Sequence, residues 1–424
     1  MNPQKIFRQQ LKGTMGRKLL ASPHTYRLAR QVFLKKSNFA FAAKRMMTDM
    51  ALQQTAEAYQ GKKPVVWTTA FFPGELVHLF DLAPFAPEVA SAAAASLELA
   101  PDLLRYSEEM GLSTDSCSFH RCAAAGTSKE YFPLPDFLMA SSHLCDGAPR
   151  LFKFMARRYR RPLFFLDVPA RDNEKALSYV AGQIEGIVRE LEEKTGKKLT
   201  REKIEEVFGY SNRARHYQIE VNRIRQRVPS PMGGIEGLGY VYLTFLGQGH
   251  PQTPEIYRTL MEELQNRVHK SDPVGGEERF RLVWMHLRPY HGTELMSLVE
   301  EDLGMKIVAE EMNQVYWPPL DPERPFESLA QKALSHFGLG PVERRLQTVE
   351  RMVEESGAHG VVHFSHWGCR QSVGSTLILR KKLRSKGIPF LALDGDCVDE
   401  TGFPWGQART RVESFREVLD QVHV

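Results

Sequence analysis

The sequence predicts an α/β chain of two units, each built on a parallel sheet. Three observations predict it. An apolar run, Gly360-Val361-Val362-His363-Phe364-Ser365, is followed by a Leu-, Arg- and Lys-rich helical segment over 376–386 and a second run, Ile388-Pro389-Phe390-Leu391-Ala392-Leu393, which is the strand–helix–strand pattern of a parallel sheet. Short apolar runs at 65–69, 135–140 and 162–169 alternate with helical segments in a βαβαβ pattern. The length, 424 residues, exceeds a single core of common size.

The first element is a basic helical segment over 1–60. Leu19, Leu20, Leu28, Val32 and Phe33 recur at helical spacing. Lys5, Arg8, Lys12, Arg17, Lys18, Arg27, Arg30, Lys35, Lys36, Lys44 and Arg45 surround them, and Asp49 is the only carboxylate of the first fifty residues. Such a face suits solvent, an acidic partner or an anionic substrate; no nucleic-acid motif accompanies it. The first α/β unit is expected over 61–170. Its opening strand leads into Phe72-Pro73-Gly74-Glu75-Leu76, where Pro and Glu suit the first turn of a helix. Residues 86–110 read as helical, 135–140 as a strand, and 162–169 as the last strand. A charged helical region follows over 171–275, broken by the loop at 228–234. The second unit is expected over 276–424, with strands at 280–286 and 306–310, a helix at 294–303 and another at 342–356 before the C-terminal pattern. Loops at the C-terminal ends of parallel strands are where such folds bind ligands.

Hydrophobic residues make up 42% and charged residues 25%, an ordinary globular composition. No apolar run approaches bilayer length, and the basic N-terminus lacks the apolar core of a signal peptide, so a cytoplasmic location is expected. The net charge is +5, and the pI is about 8.8. Five cysteines, an odd number, argue against a disulfide framework. The segment 233–239 is glycine-rich but follows no strand, which excludes a dinucleotide site, and no G-x-x-x-x-G-K-[ST] occurs.

The cysteines carry the chemistry. No C-x-x-C pair occurs, which disfavours a zinc ribbon or a redox pair. Cys117, Cys145 and Cys369 each fall at an expected loop-to-helix start, where a thiol's pKa is lowered. Three thiolates from two units suit an iron–sulfur cubane with one open iron better than a tetrahedral zinc. The plain alternative is packing, since free cysteines mostly fill cores. Their polar neighbours (Ser116, His120 and Arg121; His143 and Asp146; His366 and Arg370) argue against it.

Cys117-Ser118-Phe119-His120-Arg121, His143-Leu144-Cys145-Asp146, His366-Trp367-Gly368-Cys369-Arg370 and Leu393-Asp394-Gly395-Asp396, with Gly406-Gln407-Ala408-Arg409-Thr410-Arg411-Val412-Glu413-Ser414-Phe415, occur in that order. Together with the Phe72-Pro73-Gly74-Glu75 turn and the Pro229-Ser230-Pro231 loop, they resemble the 2-hydroxyacyl-CoA dehydratase/benzoyl-CoA reductase superfamily across roughly residues 60–424. The resemblance implies two Rossmann-like subdomains with an iron–sulfur cluster, [4Fe-4S] or a double-cubane [8Fe-9S], in the cleft between them. It implies Cys117, Cys145 and Cys369 as cluster ligands. It gives Glu75 a proton-transfer role, with a helix-dipole carboxylate as the alternative. Cys122 and Cys397 lie outside the three-ligand pattern: buried thiols, or ligands of a larger cluster. His120, His143 and His366 are placed to tune the sulfurs, or simply to pack.

The function so implied is an oxygen-sensitive component that receives low-potential electrons from a separate ATP-hydrolysing iron–sulfur activator and dehydrates a 2-hydroxyacyl-CoA by a radical route, paired with a related subunit. One alternative is a homodimeric double-cubane protein that reduces small molecules. Another is a non-catalytic electron-transfer or sensor protein. Neither nucleic acid nor membrane is expected as a partner.

Overall fold

The structure, a computed structural model, describes residues 14–36, 38–270 and 277–423. The sequence's expectation of helix over 1–60 is met by Thr14–Leu20, Pro23–Lys36 and Ala42–Ala58; Lys5, Arg8 and Lys12 lie outside the described residues.

Two four-stranded parallel sheets follow. The first contains β1 (Val65–Thr68), β2 (Ala83–Phe85), β3 (Phe137–Ser141) and β4 (Leu163–Leu166), in the order β2-β1-β3-β4. The second contains β5 (Phe280–Met285), β6 (Met305–Glu310), β7 (Gly360–His366) and β8 (Phe390–Gly395), in the order β6-β5-β7-β8. The two orders are the same, and every pairing is parallel. All residues of β1, β3, β5 and β7 are buried, as strands covered by helices on both faces must be.

Three details differ from the sequence reading. β2 has only three residues and no alternating pattern, so nothing local announces it. The segment 86–110 is two helices, Pro87–Ser96 and Ala100–Glu109. The expected helix at 294–303 is one α turn, Glu294–Ser297, continued as a π turn, Leu298–Asp302. That widened turn carries Glu300, whose carboxylate accepts from the backbone N–H groups of Gly234, Ile235 and Ile307. The glycine-rich segment thus starts its short helix on the protein's own carboxylate rather than on a phosphate.

The connecting region is held by caps and a buried pair. Asn173 caps the helix Glu174–Thr195, and Thr200 caps Arg201–Arg225. Arg225, at the end of that long helix, bonds Glu310 at the end of β6. The largest apolar core joins the two halves: Phe119, Cys122 and Ala125 of the helix Ser118–Ser128 share it with Leu282 and Trp284 of β5 and Phe364 of β7. No helix among the described residues is long and apolar enough to cross a membrane.

Candidate functional site

In each sheet the chain leaves the inner pair of strands, β1 and β3 or β5 and β7, in opposite directions. The crevice at such a switch point is where open parallel sheets bind ligands. Here both crevices open into one cavity of about 100 Å³. Its walls come from the exits of all four inner strands: Thr69 and Phe71 after β1, His143 and Cys145 after β3, His286 after β5, Gly368 and Cys369 after β7. Cys117, from the loop before Ser118–Ser128, completes the set.

Each cysteine is placed by local backbone. The carbonyl of Cys117 accepts the N–H groups of His120 and Arg121, so the residue caps its helix. Leu144 takes φ 64°, a left-handed turn that costs a bulky residue energy and sets the following Cys145. The Sγ of Cys145 accepts the Ala148 N–H at 3.3 Å, at the start of the helix Ala148–Tyr159. Cys369 precedes the short helix Arg370–Gly374. Gly368 is required by contact: a Cβ there would lie 2.3 Å from the Cα of Cys117. The two loops meet backbone to backbone, one from each half.

The protein's own electrostatics oppose thiolates in this cavity. Burial, then the neighbouring charges of Cys145 and Cys369, holds the Cys117 pKa well above its usual value. Burial and Cys145 push Cys369 up to about 11. Backbone N–H groups at the helix starts do lower both, as the sequence suggested, but desolvation outweighs them. Burial opposes the charging of His120, yet Cys145 and Glu88 carry its pKa up to about 10. The Nε2 of His366 lies 3.4 Å from the Sγ of Cys117, and its Nδ1 accepts the Cys397 N–H.

Around the same cavity, Thr69 Oγ1, Ser141 Oγ, His143 Nδ1 and His286 Nδ1 are buried without a hydrogen-bond partner among the described residues. Orphaned polar atoms, and thiols whose ionised forms would repel one another, fit a polar, positively charged guest. Among the described residues no three His, Cys, Asp or Glu side chains form a site for a metal ion. The spread of three thiols round one cavity fits a polynuclear iron–sulfur group, which offers a separate iron to each sulfur, better than a single ion.

The sequence profile of 2-hydroxyglutaryl-CoA dehydratase, D-component, matches residues 69–419. The chain belongs to that family. It is 25% identical to the (R)-2-hydroxyisocaproyl-CoA dehydratase alpha subunit of Clostridioides difficile, over 89% of this chain and 96% of that one. It is 24% identical to the (R)-phenyllactyl-CoA dehydratase alpha subunit of Clostridium sporogenes, covering 88% and 94%. It is also 24% identical to a benzoyl-CoA reductase subunit of Thauera aromatica, covering 87% and 91%.

The other expected residues of this D-component family chain fall in different places. Cys122 is fully buried in the shared core and does not line the cavity, and burial raises its pKa to about 12. Cys397 is also fully buried and does not line the cavity, and burial and then Asp396 hold its pKa well above the usual value. Glu75 opens the helix Glu75–Leu79 but does not line the cavity either. It is fully buried, and its Oε1 accepts from Lys332 Nζ at 2.7 Å and Ser211 Oγ at 2.9 Å. Lys332, 257 positions away, has no signal in the sequence. Asp396 stands out in the sequence only as part of a motif. Its Oδ1 accepts from Ser118 Oγ, Val398 N and Asp399 N, fastening the β8 exit loop to the helix behind Cys117.

Proposed function

We propose that this chain is the cluster-bearing component of a 2-hydroxyacyl-CoA dehydratase, acting with a separate ATP-hydrolysing activator and a related subunit. The observation that carries the reading is the single cavity at which the inner strands of both sheets end, with Cys117, Cys145 and Cys369 in its walls. The dehydratase alpha subunits to which the chain is similar over most of its length support the substrate class.

In this reading the three cysteines hold an iron–sulfur cluster, which when bound supplies low-potential one-electron transfer and a Lewis-acidic iron. The protein's own part is to bind, shield and move protons. The aromatic side chains Phe71, Phe119 and Phe245 in the cavity wall limit water at the reacting centre. His120 and His366, in contact with Cys145 and Cys117, orient and polarise the sulfurs. Glu75 is assigned proton transfer; its route runs through Lys332, to which it is hydrogen-bonded.

The test is anaerobic purification of wild type and Cys369→Ala with iron and sulfide analysis, followed by turnover with activator, ATP and 2-hydroxyacyl-CoA thioesters. Wild type should carry iron and dehydrate a thioester only with activator and ATP. Cys369→Ala should lose most of its iron and the brown colour. A full iron load in Cys369→Ala removes the ligand assignment. A second reading, a homodimeric double-cubane protein acting on small molecules, is favoured by Cys397, whose backbone N–H donates to His366 Nδ1 while the Nε2 of the same ring meets the Sγ of Cys117. The [8Fe-9S] formula, shared in a dimer, gives nine sulfides for eight irons, against eight for two separate [4Fe-4S] clusters; that ratio in a homodimer would select it.

A further inference from the structure

One side chain in the wall of the cysteine cavity serves neither the cysteines nor the packing. His286 leaves the end of β5 with φ 69°, a left-handed conformation that few residues other than glycine take. The turn is locked in place. Its N–H donates to Glu311 Oε2 at 3.1 Å, and Arg345 holds both oxygens of that carboxylate. Strained backbone persists where its surroundings fix it, and it collects at ligand sites.

The side chain carries a second cost. His286 is 6% exposed, and its Nδ1 is buried with no hydrogen-bond partner among the described residues. An unpaired polar atom in a dry site loses more than a typical hydrogen bond returns. Around the cavity the other orphaned atoms, among them Thr69 Oγ1, Ser141 Oγ and His143 Nδ1, come from the first half of the chain. His286 faces them from the second half. The sulfurs, by contrast, have imidazoles of their own. His366 Nε2 meets Cys117 Sγ at 3.4 Å, and His120 bonds Cys145. The His286 ring lies nearly parallel to His366, 6.0 Å between centres, so it stands one ring further from Cys117.

Burial, and then His366, His363 and Arg345, hold the His286 pKa well below the usual value, so the ring is neutral. A neutral imidazole has one N–H donor and one lone pair. It orients and polarises an oxygen without giving up its proton.

We propose that His286 is a ligand-binding residue of the cysteine cavity, and that its Nδ1 takes a hydrogen bond with a hydroxyl or carbonyl oxygen of a small molecule held between the two halves. The identity of the natural ligand rests on the dehydratase reading, in which that oxygen belongs to the acyl group. The unpaired atom and the left-handed turn are then what the bound molecule requires of this position.

Glycolamide carries a hydroxyl beside a carbonyl and no charge, so it probes the contact by ligand-observed NMR on the full-length, iron-loaded protein kept anaerobic. His286→Gly keeps the turn and removes the ring. His286→Asn keeps the turn and returns a group that donates and accepts near the place of Nδ1. Wild type should bind glycolamide. The His286→Gly protein should bind it about three- to tenfold more weakly, the loss expected for one uncharged hydrogen bond, and His286→Asn should recover most of that loss. Iron load, and the cluster's midpoint potential read without glycolamide, should be the same in all three, because the contact is with the ligand and not with a sulfur.

No glycolamide binding in wild type, equal binding in His286→Gly, or no recovery in His286→Asn overturns the proposal. A midpoint potential that moves in His286→Gly also overturns it, for His286 is then a partner of the cluster. If His286→Gly fails to fold, His286→Ala takes its place and the same outcomes decide. Binding of a 2-hydroxyacyl-CoA thioester without activator or ATP is measured beside it. A thioester that wild type does not bind, with the glycolamide pattern intact, removes the dehydratase reading and leaves the His286 contact standing. A thioester bound equally by wild type and His286→Gly removes the contact and leaves the dehydratase reading.

Discussion

Arg225 and Glu310 share two hydrogen bonds of 2.5 Å at 2% and 0% side-chain exposure. Asn313 adds a third bond to the carboxylate, and the space is so tight that a Cβ on Gly237 would strike Glu310. A buried pair of this kind is costly to break because the survivor keeps its charge in a dry site. Arg225→Met should therefore lower stability by about 3–5 kcal/mol in denaturant titrations. Arg225→Met with Glu310→Leu should recover a large part of that loss, and a double variant as unstable as the single would refute the charge argument. The same physics governs the thiols. Burial lifts Cys117 and Cys369 although both begin helices, so a helix start predicts where a cysteine sits better than how it ionises.

At the level of elements, the β8 exit loop shows how a short segment can hold two halves together. One oxygen of Asp396 accepts the Ser118 hydroxyl at 2.6 Å and two backbone N–H groups of its own loop at 2.7 and 2.8 Å. Asp396→Ala removes an ionised acceptor from donors that stay buried, so a loss of about 2–3 kcal/mol is expected, with faster loss of bound iron on air exposure. An Asp396→Ala protein that melts like wild type would show that the loop is held by other contacts. Elements of this sort mark the limit of what a sequence displays. Seven of the eight strands announced themselves, because a strand covered on both faces must be continuously apolar. β2 did not, since three residues, Ala83–Phe85, carry no periodicity. The positions of Cys117, Cys145 and Cys369 at strand or helix ends were likewise legible, because turn residues and apolar runs bracket them. Their meeting in one cavity was expected from the family resemblance but from no local pattern, and the Glu75–Lys332 pair had no signal at all, since both depend on contacts between segments more than two hundred residues apart.

On the scale of the whole molecule, two sheets of the same strand order point the ends of their inner strands at one another, and the site belongs to neither half alone. Such an assembly buries many imidazoles and, His120 beside Cys145 and Glu88 apart, holds those described next neutral. Burial, with His250 nearby, takes His78 down to about 3; burial takes His250 down to about 4; burial and then Arg345 take His363 down to about 3. His363 makes the point most cleanly, for it is fully buried among the hydroxyls of Ser365, Ser372 and Thr376. Each has a folded pKa below its unfolded value, so the unfolded chain binds the proton first as pH falls. The stabilisation is complete above the unfolded pKa of about 6.5 and is lost progressively on acidification, toward about 4 for His250 and about 3 for His78 and His363. Each imidazole that stays neutral contributes a slope of about 1.4 kcal/mol per pH unit in that window. Denaturant titrations from pH 7.5 to 4.5 should show stability falling below about pH 6.5, with a shallower fall in His363→Gln. A stability that is flat across that range, or that rises on acidification, would mean these imidazoles take up protons in the folded protein as readily as in the unfolded chain.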